Sequence, residues 1–340
     1  MTDLAELDRL ELQQTLADLG VPRFHGTQIY RWLYKRGVSD LARMTDLSRK
    51  LRARLAETVT ITTPELIRKE VSSDGTAKFL FRLADGRLIE SVYIPDTPAQ
   101  TFCVSTQVGC AMRCAFCLTG KMGLIRNLTA GEIAGQVRVL AHETGLADQS
   151  FNVVLMGMGE PLHNYDAVMK SLRMLADKDG FGVNPRRVTL STVGVVPAMA
   201  KLAEEDLMPN LAVSLHATTE AQRDTLVPIN KKYDIEELID ACRKMPLRRR
   251  GKITFEYVML AGENDSPADA RRLVKLLRGL KAKVNLLPLN EAAGIDFKRP
   301  SDDVVDRFAT ILADNDVTVS VRKSRGRDIR AACGQLATDR

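Results

Sequence analysis

The sequence lacks any uninterrupted run of about 18 apolar residues, the length that a membrane-spanning helix requires. Its opening segment, MTDLAELDRLELQQTLADLG, carries acidic residues where a secretion signal would need an apolar run. These two absences predict a cytoplasmic protein that does not enter a membrane. In that reducing compartment, clustered cysteines indicate metal binding or catalysis before structural disulfides.

Histidine is also scarce: the 340 residues include four, and none flanks the cysteines at ligand spacing. Four of the six cysteines lie in CVSTQVGCAMRCAFC (103–117), where Cys110, Cys114 and Cys117 are spaced C-x3-C-x2-C. A structural zinc site needs four ligands, usually two C-x2-C pairs, whereas this loop supplies three. Three thiolates on a four-iron cluster leave one iron free to chelate a small molecule. The spacing therefore predicts a [4Fe–4S] cluster with an open iron rather than zinc.

Basic residues exceed acidic ones, 49 against 43, which gives a net charge of +6. Such an excess weakly favours a polyanionic partner, although a solvated basic surface explains it equally well. Three local runs support the first interpretation: SRKLRARL (48–55), LRRRGK (247–252) and VRKSRGRDIR (321–330). Together they indicate RNA or DNA as the partner.

The chain suits one large domain with a smaller appendage, and 45% apolar residues suffice for a core. Residues 1–60 predict three short basic helices, a small accessory domain that we expect to bind RNA. Residues 61–98 alternate apolar and polar side chains on either side of Asp85-Gly86, which predicts a β-hairpin linker. Residues 99–340 repeat the pattern strand, loop, helix.

The repeating segment predicts a parallel sheet with crossover helices. We expect strands near 101–106, 152–156, 187–192, 210–215, 253–259 and 283–287, with a further one near 317–322. We expect helices near 129–143, 166–177, 196–205, 234–244, 266–278 and 302–315. Six such units are too few for a closed eight-stranded barrel, so the predicted fold is α/β, a partial (β/α)6 TIM-like barrel. In such barrels the chemistry gathers at the carboxyl ends of the strands.

The cysteine triad, with Phe116 just before Cys117, resembles the motif of the radical S-adenosylmethionine (SAM) superfamily. The resemblance implies that the open iron binds the amino and carboxylate groups of SAM and that Phe116 contacts its adenine. It also implies that an electron from the cluster cleaves SAM to a 5′-deoxyadenosyl radical.

Longer stretches narrow the resemblance to one family. They are VSTQVGCAMRCAFCLTGKMGLIRNLTAGEIAGQV (104–137), NVVLMGMGEPLHNY (152–165), VTLSTVGVVPAM (188–199), LAVSLHA (211–217), LVPINKKY (226–233) and VRKSRGRDIRAACGQLA (321–337). In order and spacing they resemble the bacterial RlmN family, which methylates C2 of an adenosine in the peptidyl-transferase region of 23S ribosomal RNA. Some members also modify an adenosine beside the anticodon of transfer RNA. The resemblance implies one [4Fe–4S] cluster and SAM as cofactors and an electron donor of the flavodoxin or ferredoxin type; we expect a monomer.

The resemblance assigns SAM contacts to the carboxyl ends of four predicted strands: Gly159, Glu160, Ser191, Ser214, Leu215, His216 and Asn290. Taken alone, several of these have simpler explanations. Glu160 could cap a tight turn, Ser191 could cap a helix, His216 could be a structural donor and Asn290 a turn residue. Their shared position at carboxyl strand ends favours the SAM assignment, because the barrel prediction puts the chemistry there.

Cys103 and Cys333 fit neither the triad nor a core pattern, and stray thiols are often incidental. The resemblance implies instead that Cys333 is methylated by one SAM and that the resulting carbon is then joined to the adenine ring. Cys103 would attack the sulfur of that link and release methylated RNA through a transient disulfide. Glu90 matches the family's proton acceptor, although alone it would be a strand-end surface carboxylate. Cys242 lies in a predicted helix and is interpreted as a core residue.

The sequence departs from some family members, since Leu289 and Glu291 replace a tryptophan and a phenylalanine, and CLTGK replaces a CSTA-type stretch. Two other functions stay open. A sister family with the same triad and both extra cysteines methylates C8 of the same adenosine, and an iron–sulfur protein could bind RNA without catalysis. Methylthiolation is disfavoured because no cysteine precedes Cys103.

Overall fold

A computed structural model describes residues 1–97 and 99–338 of the chain. Pro98, which ends the predicted hairpin linker, and Asp339 and Arg340, which end the predicted barrel segment, lie outside the described residues. The division of the chain into units 1–60, 61–98 and 99–340 stays a prediction.

The N-terminal segment is mostly helical and contains the three predicted helices. Its elements are β1 (Thr2–Asp3), α1 (Arg9–Asp18), α2 (Phe24–Tyr34), α3 (Arg49–Thr58) and β2 (Val59–Thr60). Asp8 and Ser48 begin α1 and α3 by accepting hydrogen bonds from backbone amides of the first turn. Leu12 and Leu16 on α1 are buried in the core, whereas Leu10 is 64% exposed.

The rest of the chain builds one large sheet and its crossover helices. Its elements are β3 (Glu65–Val71), β4 (Ala77–Arg82), β5 (Leu88–Thr97), β6 (Ala99–Cys103), β7 (Gln107–Gly109), α4 (Leu118–Met122), β8 (Leu124–Asn127), α5 (Ala130–Glu143), β9 (Asn152–Leu155), α6 (Tyr165–Ala176), β10 (Val188–Thr192), α7 (Val196–Leu202), β11 (Asn210–Ser214), α8 (Glu220–Leu226), α9 (Ile235–Arg243), β12 (Ile253–Met259), α10 (Pro267–Leu277), β13 (Ala282–Pro288), α11 (Asp302–Ala313) and β14 (Thr318–Val321). Within the described ranges, the order of the sheet is β14-β13-β12-β11-β10-β9-β6-β5-β4-β3.

Strands β6 and β9 to β14 run parallel, and each is the sheet neighbour of the next in the chain. Helices α5, α6, α7, α9, α10 and α11 lie in the six connections between them. This arrangement confirms the predicted α/β partial barrel. The first strand ends at Cys103, earlier than expected, because the amide of Ser105 donates to the Gln136 side chain at 2.8 Å instead of to a neighbouring strand.

Strands β3, β4 and β5 extend the same sheet as an antiparallel meander, and β5 pairs with β6. The predicted hairpin at Asp85-Gly86 is confirmed, since Gly86 has a φ of 80° and Leu83 N donates to Arg87 O at 2.8 Å. The sequence analysis did not identify β3, because its charged and mostly exposed side chains hide the alternating pattern of a strand.

The N-terminal helices pack against the end of α6. Arg9 and Arg31 form ion pairs with Asp177 at 2.9 Å and Asp179 at 2.7 Å, and the Tyr30 hydroxyl donates to a backbone carbonyl of α6 at 2.6 Å. Buried residues of α1 and α2 belong to the same apolar core as those of the barrel. In the part of the chain that the structure describes, no helix combines the length and the apolar character needed to cross a membrane.

Candidate active site

The carboxyl ends of the parallel strands surround a cavity of about 160 Å³. Eleven of the fourteen residues selected from the sequence line it: Cys110, Cys114, Phe116, Cys117, Gly159, Glu160, Ser191, Ser214, His216, Asn290 and Cys333. Leu215, Cys103 and Glu90 are buried beside the cavity wall rather than in it. The structure thus brings most of the predicted site together where the barrel prediction puts it.

The cysteine loop joins β7 to α4 and is fixed at several points. Cys110 N donates to Gly123 O, just before β8, at 3.0 Å. Ala115 N donates to Leu226 O at 3.0 Å, and Cys117 N donates to Cys114 O at 3.1 Å. Burial raises the pKa of the Cys110 thiol to about 12 and also raises the pKa of the Cys114 and Cys117 thiols. Across the described ranges, no three His, Cys, Asp or Glu side chains converge closely enough to hold a single metal ion.

The glycines after β9 are required by the packing of the protein itself. A Cβ on Gly157 would lie 2.7 Å from the Val104 backbone, and one on Gly159, whose φ is 106°, would lie 2.6 Å from Gln107 Cβ. The loop therefore presses directly on the segment after β6 while still lining the cavity. This backbone-to-backbone contact explains the two glycines without invoking a ligand, and it places Glu160 in the wall.

Both carboxylate oxygens of Glu160 accept hydrogen bonds from backbone amides. Leu162 N donates to Oε1 at 3.0 Å, and Val193 N donates to Oε2 at 2.9 Å. Burial raises the pKa of Glu160 to about 7, and these amides oppose the rise. The residue is therefore both the cap of the turn, as the simpler explanation holds, and a carboxylate in the cavity wall.

Ser191, Ser214 and His216 form a polar part of the cavity wall. The two serine hydroxyls lie 3.4 Å apart, and neither caps a helix. His216 has a φ of 59°, and its Nδ1 accepts a hydrogen bond from Val258 N at 3.0 Å, which leaves Nε2 as the protonated nitrogen. Burial lowers the pKa of His216 to about 3, so the imidazole is neutral, and its ring meets Phe116 edge-on at 4.8 Å.

Leu215 lies between Ser214 and His216, which line the cavity, but its side chain points away from the cavity. Alternate residues of an extended segment face opposite sides, so Ser214 and His216 reach the cavity while the Leu215 side chain is fully buried in the core. The Leu215 backbone is fixed by its own N–H, which donates to Glu256 O at 3.1 Å. Any contact of Leu215 with a ligand is therefore a backbone contact.

Arg223 connects the segments that follow β10 and β11 through hydrogen bonds. It is fully buried, and its guanidinium donates to Leu215 O at 3.2 Å, to Val193 O at 2.6 Å and to Asn230 Oδ1 at 2.9 Å. Burial lowers the pKa of Arg223 to about 10. No local sequence signal distinguishes this arginine from the other basic residues, so the sequence analysis missed it.

The C-terminal segment returns to the cysteine loop. Leu118 N donates to Gly334 O at 2.8 Å, and Asn290 Nδ2 donates to the carbonyl of Cys333 at 3.4 Å. These contacts hold Cys333, which is exposed, at the rim of the cavity. Asn290 therefore supports the loop that carries Cys333 as well as lining the cavity.

Cys103 is buried at the end of β6, near enough to Cys333 and Arg322 for both to affect the pKa of its thiol. Burial raises the pKa of the Cys103 thiol to about 12; Cys333 adds to the rise, while Arg322 opposes it. Conversely, Cys333 and, to a smaller extent, Cys103 raise the pKa of Arg322. The ends of β6 and β14, six positions apart in the sheet, thus face each other across the barrel interior.

Glu90, on β5, is 3% exposed and forms an ion pair with Lys78 on β4, at 3.1 Å between Nζ and Oε1. Its Oε2 accepts a hydrogen bond from Ala337 N at 3.0 Å. Burial raises the pKa of Glu90, and Lys78 and the Ala337 amide oppose that rise. Glu90 is therefore not the surface carboxylate that its sequence position alone suggests.

The sequence analysis missed three further charged residues of this region, namely Lys78, Glu256 and Arg322. Glu256 lines the cavity, is 5% exposed, and its Oε2 has no hydrogen-bond partner among the described residues. The signal that could have identified Glu256 and Lys78 is a charge inside an otherwise apolar strand, ITFEYVM and AKFLF. Arg322 was grouped with a basic surface run, although it lines the cavity.

Comparison with known proteins finds two family models that match the chain. The family model described as Radical SAM superfamily matches residues 104–274, and the model described as Ribosomal RNA large subunit methyltransferase N-terminal domain matches residues 2–61. A protein of Anaeromyxobacter dehalogenans named Dual-specificity RNA methyltransferase RlmN is 50% identical over 99% of this chain and 92% of its own length. A protein of the same name from Geobacter sulfurreducens is 49% identical over 99% of this chain and 92% of its own length.

The chain belongs to the RlmN family of radical SAM methyltransferases.

A solved structure shows the same fold. The crystal structure of a radical SAM methyltransferase from Sphaerobacter thermophilus matches with a TM-score of 0.94, at 46% identity and over 99% of both chains. Membership of the RlmN family confirms the predicted enzyme class and implies SAM and a [4Fe–4S] cluster as cofactors. A non-catalytic regulator does not fit this family, and the relatives' names give the C8 alternative no support.

Proposed function

We propose that the protein methylates C2 of an adenosine in the peptidyl-transferase region of 23S ribosomal RNA, and C2 of the adenosine 3′ of the anticodon in some transfer RNAs. Relatives about half identical over nearly the whole chain carry the name dual-specificity RNA methyltransferase. The observation that carries the proposal is the convergence of the cysteine triad and Cys333 in one cavity, with Cys103 behind it.

The cysteine loop fits a cluster with three protein ligands. Cys110, Cys114 and Cys117 come from one loop that is hydrogen-bonded at several points, and all three line the cavity. Thiolates are the ligands that iron–sulfur clusters take in proteins. These three residues would hold one [4Fe–4S] cluster per chain, with SAM on the remaining iron. When bound, the pair supplies an organic radical, and a second SAM supplies a methyl group.

The polar wall would hold and orient SAM. Gly159 and Glu160 offer a backbone carbonyl and a carboxylate to its amino group, and the Ser191 and Ser214 hydroxyls lie across the cavity. His216 offers its Nε2–H, Asn290 its amide and Leu215 its backbone. Phe116 offers an aromatic surface for the adenine. Arg223 keeps these strand ends in place without touching the ligand.

Cys333 and Cys103 would carry the methyl group and release the product. The Cys333 sulfur, having lost its proton, would attack the sulfonium methyl of SAM. A sulfur–carbon bond would form, and the electron pair of the broken sulfonium bond would stay on the departing SAM sulfur. After the carbon is joined to adenine C2 and the C2 proton has left, the Cys103 thiolate would attack the Cys333 sulfur and form a disulfide. The electron pair of the broken sulfur–carbon bond would go to the carbon, which takes up a proton and becomes the methyl group of the product. The exposure of Cys333 suits contact with RNA, and the burial of Cys103 behind it suits the later step.

Glu90 would accept the C2 proton during this sequence. It lies on β5 two residues from Val92, which pairs with Cys103 on β6, and it contacts the segment that carries Cys333 through Ala337. A small movement of that segment would free one carboxylate oxygen for the substrate. The basic runs and the N-terminal unit 1–60 would bind the RNA, with 61–98 as a linker and 99–340 as the catalytic unit.

We further propose a monomer that acts in the cytoplasm, where its RNA substrates are, and receives its electron from a flavodoxin- or ferredoxin-type donor. The test of the function is anaerobic reconstitution of the enzyme with iron, sulfide, SAM and a reductant, followed by incubation with an unmodified transcript of the 23S region and nucleoside mass spectrometry. We expect 2-methyladenosine, and none from Cys333→Ala, which should load as much iron as the wild type. Formation of 8-methyladenosine, or full activity in Cys333→Ala, would refute the proposal.

A further inference from the structure

Three charged side chains cross the meander in a row. Glu70 on β3 is the register partner of Lys78 on β4, and Glu90 lies on β5 opposite Leu80, one step along the same face as Lys78. Lys78 Nζ lies 3.3 Å from Glu70 Oε2 and 3.1 Å from Glu90 Oε1. The lysine side chain is 8% exposed and the Glu90 side chain 3%, whereas Glu70 is 34% exposed.

Burying the ion pair between Lys78 and Glu90 costs free energy. Two buried charges lose their hydration, and replacing such a pair by apolar residues of similar volume is often neutral or stabilising. Phe79 and Phe81, which alternate with Lys78 and Leu80 along β4, point to the other face of the sheet and are fully buried apolar residues there. Stability alone therefore does not explain a buried lysine at this position.

The influences on the pKa of Glu90 act in opposite directions. Lys78 and the amide of Ala337 favour its charged form, whereas burial and, more weakly, Glu70 favour the neutral form. Burial is the largest of these influences, so the pKa of Glu90 is raised even with the lysine in place. Without the lysine, the largest opposition to burial is lost and the carboxyl group holds its proton to a higher pH.

We propose that Lys78 is a positioning residue of the reaction: its ammonium keeps Glu90 as a carboxylate aimed along the sheet, so that Glu90 can take the proton from adenine C2. This inference rests on the proposed function. In the step concerned, the C2–H bond breaks, the proton moves to a Glu90 oxygen, and the electron pair of that bond stays with the ring. Lys78 touches neither RNA nor cofactor and acts through Glu90.

The test compares Lys78→Met, Lys78→Gln and Lys78→Arg with the wild type and with Lys69→Met. Lys69 is an exposed lysine of the adjacent strand and makes its close contact with the Phe79 ring, so its loss controls for a missing positive charge. Lys78→Gln keeps a polar head without charge, in case Lys78→Met does not fold. The reconstituted enzymes act on the 23S transcript between pH 6 and 9, with hydrogen or deuterium at C2 of the target adenosine.

In the wild type, the rate of 2-methyladenosine formation should fall at low pH, which is the acid limb of the pH–rate profile. In Lys78→Met and Lys78→Gln we expect this limb to lie at least about one pH unit higher, so that the rate at pH values below it is about tenfold lower than in the wild type. Activity at pH 9 should be largely kept, and Lys78→Arg and Lys69→Met should follow the wild type. The C2-deuterium isotope effect should increase in the uncharged variants, because proton removal has become slow. An unchanged limb and isotope effect, or a loss by the same factor at every pH, would overturn the inference.

An earlier step separates failure of this inference from failure of the function. Methylation of Cys333 by labelled SAM precedes proton removal, so it should be equal in the wild type and all lysine variants. If the wild type forms no 2-methyladenosine, the proposed function itself fails. If the wild type forms it and the uncharged variants match the wild type in rate and isotope effect, only the role of Lys78 fails.

Discussion

Ala337 N donates a hydrogen bond to Glu90 Oε2 at 3.0 Å, across 247 positions of the sequence. The same C-terminal segment accepts a hydrogen bond from the Thr119 hydroxyl at Leu336 O, at 2.6 Å, and Leu336 is 4% exposed. The segment that carries Cys333 is therefore fastened to α4 on one side and to the meander on the other. Its position, and with it that of the methyl-carrying cysteine, depends on these contacts.

Replacing Leu336 by alanine should loosen this segment. The change removes buried apolar contacts, and we expect the free energy of unfolding to fall by about 2–3 kcal/mol, measured by urea unfolding. Hydrogen exchange at the Ala337 amide should accelerate, because the segment opens more often. The matched control is Leu10→Ala, whose side chain is 64% exposed and whose loss should change stability by less than about 0.5 kcal/mol. Unchanged exchange at Ala337 would contradict the proposed fastening.

Cys103 and Cys333 should differ strongly in their reaction with iodoacetamide. The thiolate is the reactive form, and burial raises the pKa of Cys103 to about 12, so its thiol is protonated throughout the neutral range. In the cluster-free protein we expect its alkylation rate to rise about tenfold for each pH unit between 7 and 10, without a plateau. Exposed Cys333 should react at least 100-fold faster at pH 8, followed by peptide mass spectrometry.

Arg322→Met should slow the alkylation of Cys103 further, because the arginine charge lowers the pKa of that thiol. A plateau in the Cys103 rate below pH 9 would show that the thiol is already ionised there, and a faster reaction in Arg322→Met would show that the arginine does not lower the pKa of that thiol. Either result would contradict these expectations.

Arg223→Met should destabilise the protein and weaken SAM binding together. The fully buried guanidinium supplies the hydrogen bonds of Leu215 O, Val193 O and Asn230 Oδ1, so its loss leaves buried acceptors without a donor. We expect a loss of about 3 kcal/mol in the free energy of unfolding. Arg243→Met is the control, since its ion pair with Asp240 is half exposed on α9 and should contribute less than about 0.5 kcal/mol.

SAM affinity of the reconstituted Arg223→Met enzyme, measured by equilibrium dialysis at a temperature where the variant is folded, should fall at least tenfold. If the variant is destabilised but binds SAM with wild-type affinity, Arg223 stabilises the core and does not contribute to the SAM site.

The sequence predicted those parts of the site that a local pattern encodes. The C-x3-C-x2-C loop is contiguous. The strand-end residues were assigned by the family resemblance, and the strand–helix alternation, which the fold confirms, predicted that they share one edge of the sheet. Leu215 shows the limit of that reasoning, because the two-residue period of an extended segment turns its side chain into the core. The pairing of Lys78 with Glu90 and Glu70 depends on the register of three strands, and the contact of Ala337 with Glu90 on the return of the chain end. Neither relationship has a local signature.

The central claim is that Cys333 carries the methyl carbon to the RNA and Cys103 releases it. The most direct measurement uses the reconstituted Cys103→Ala enzyme with the 23S transcript and SAM labelled in its methyl group, followed by protease and nuclease digestion and mass spectrometry. Cys103→Ala/Cys333→Ala and Cys242→Ala serve as controls, since Cys242 is buried in α9, away from the cavity.

The account predicts that Cys103→Ala traps a covalent adduct in which the peptide containing Cys333 bears the target adenosine through one labelled carbon. The double variant should give none, and Cys242→Ala should turn over like the wild type. Free 2-methyladenosine at the wild-type rate from Cys103→Ala, or an adduct on a different residue, would contradict it.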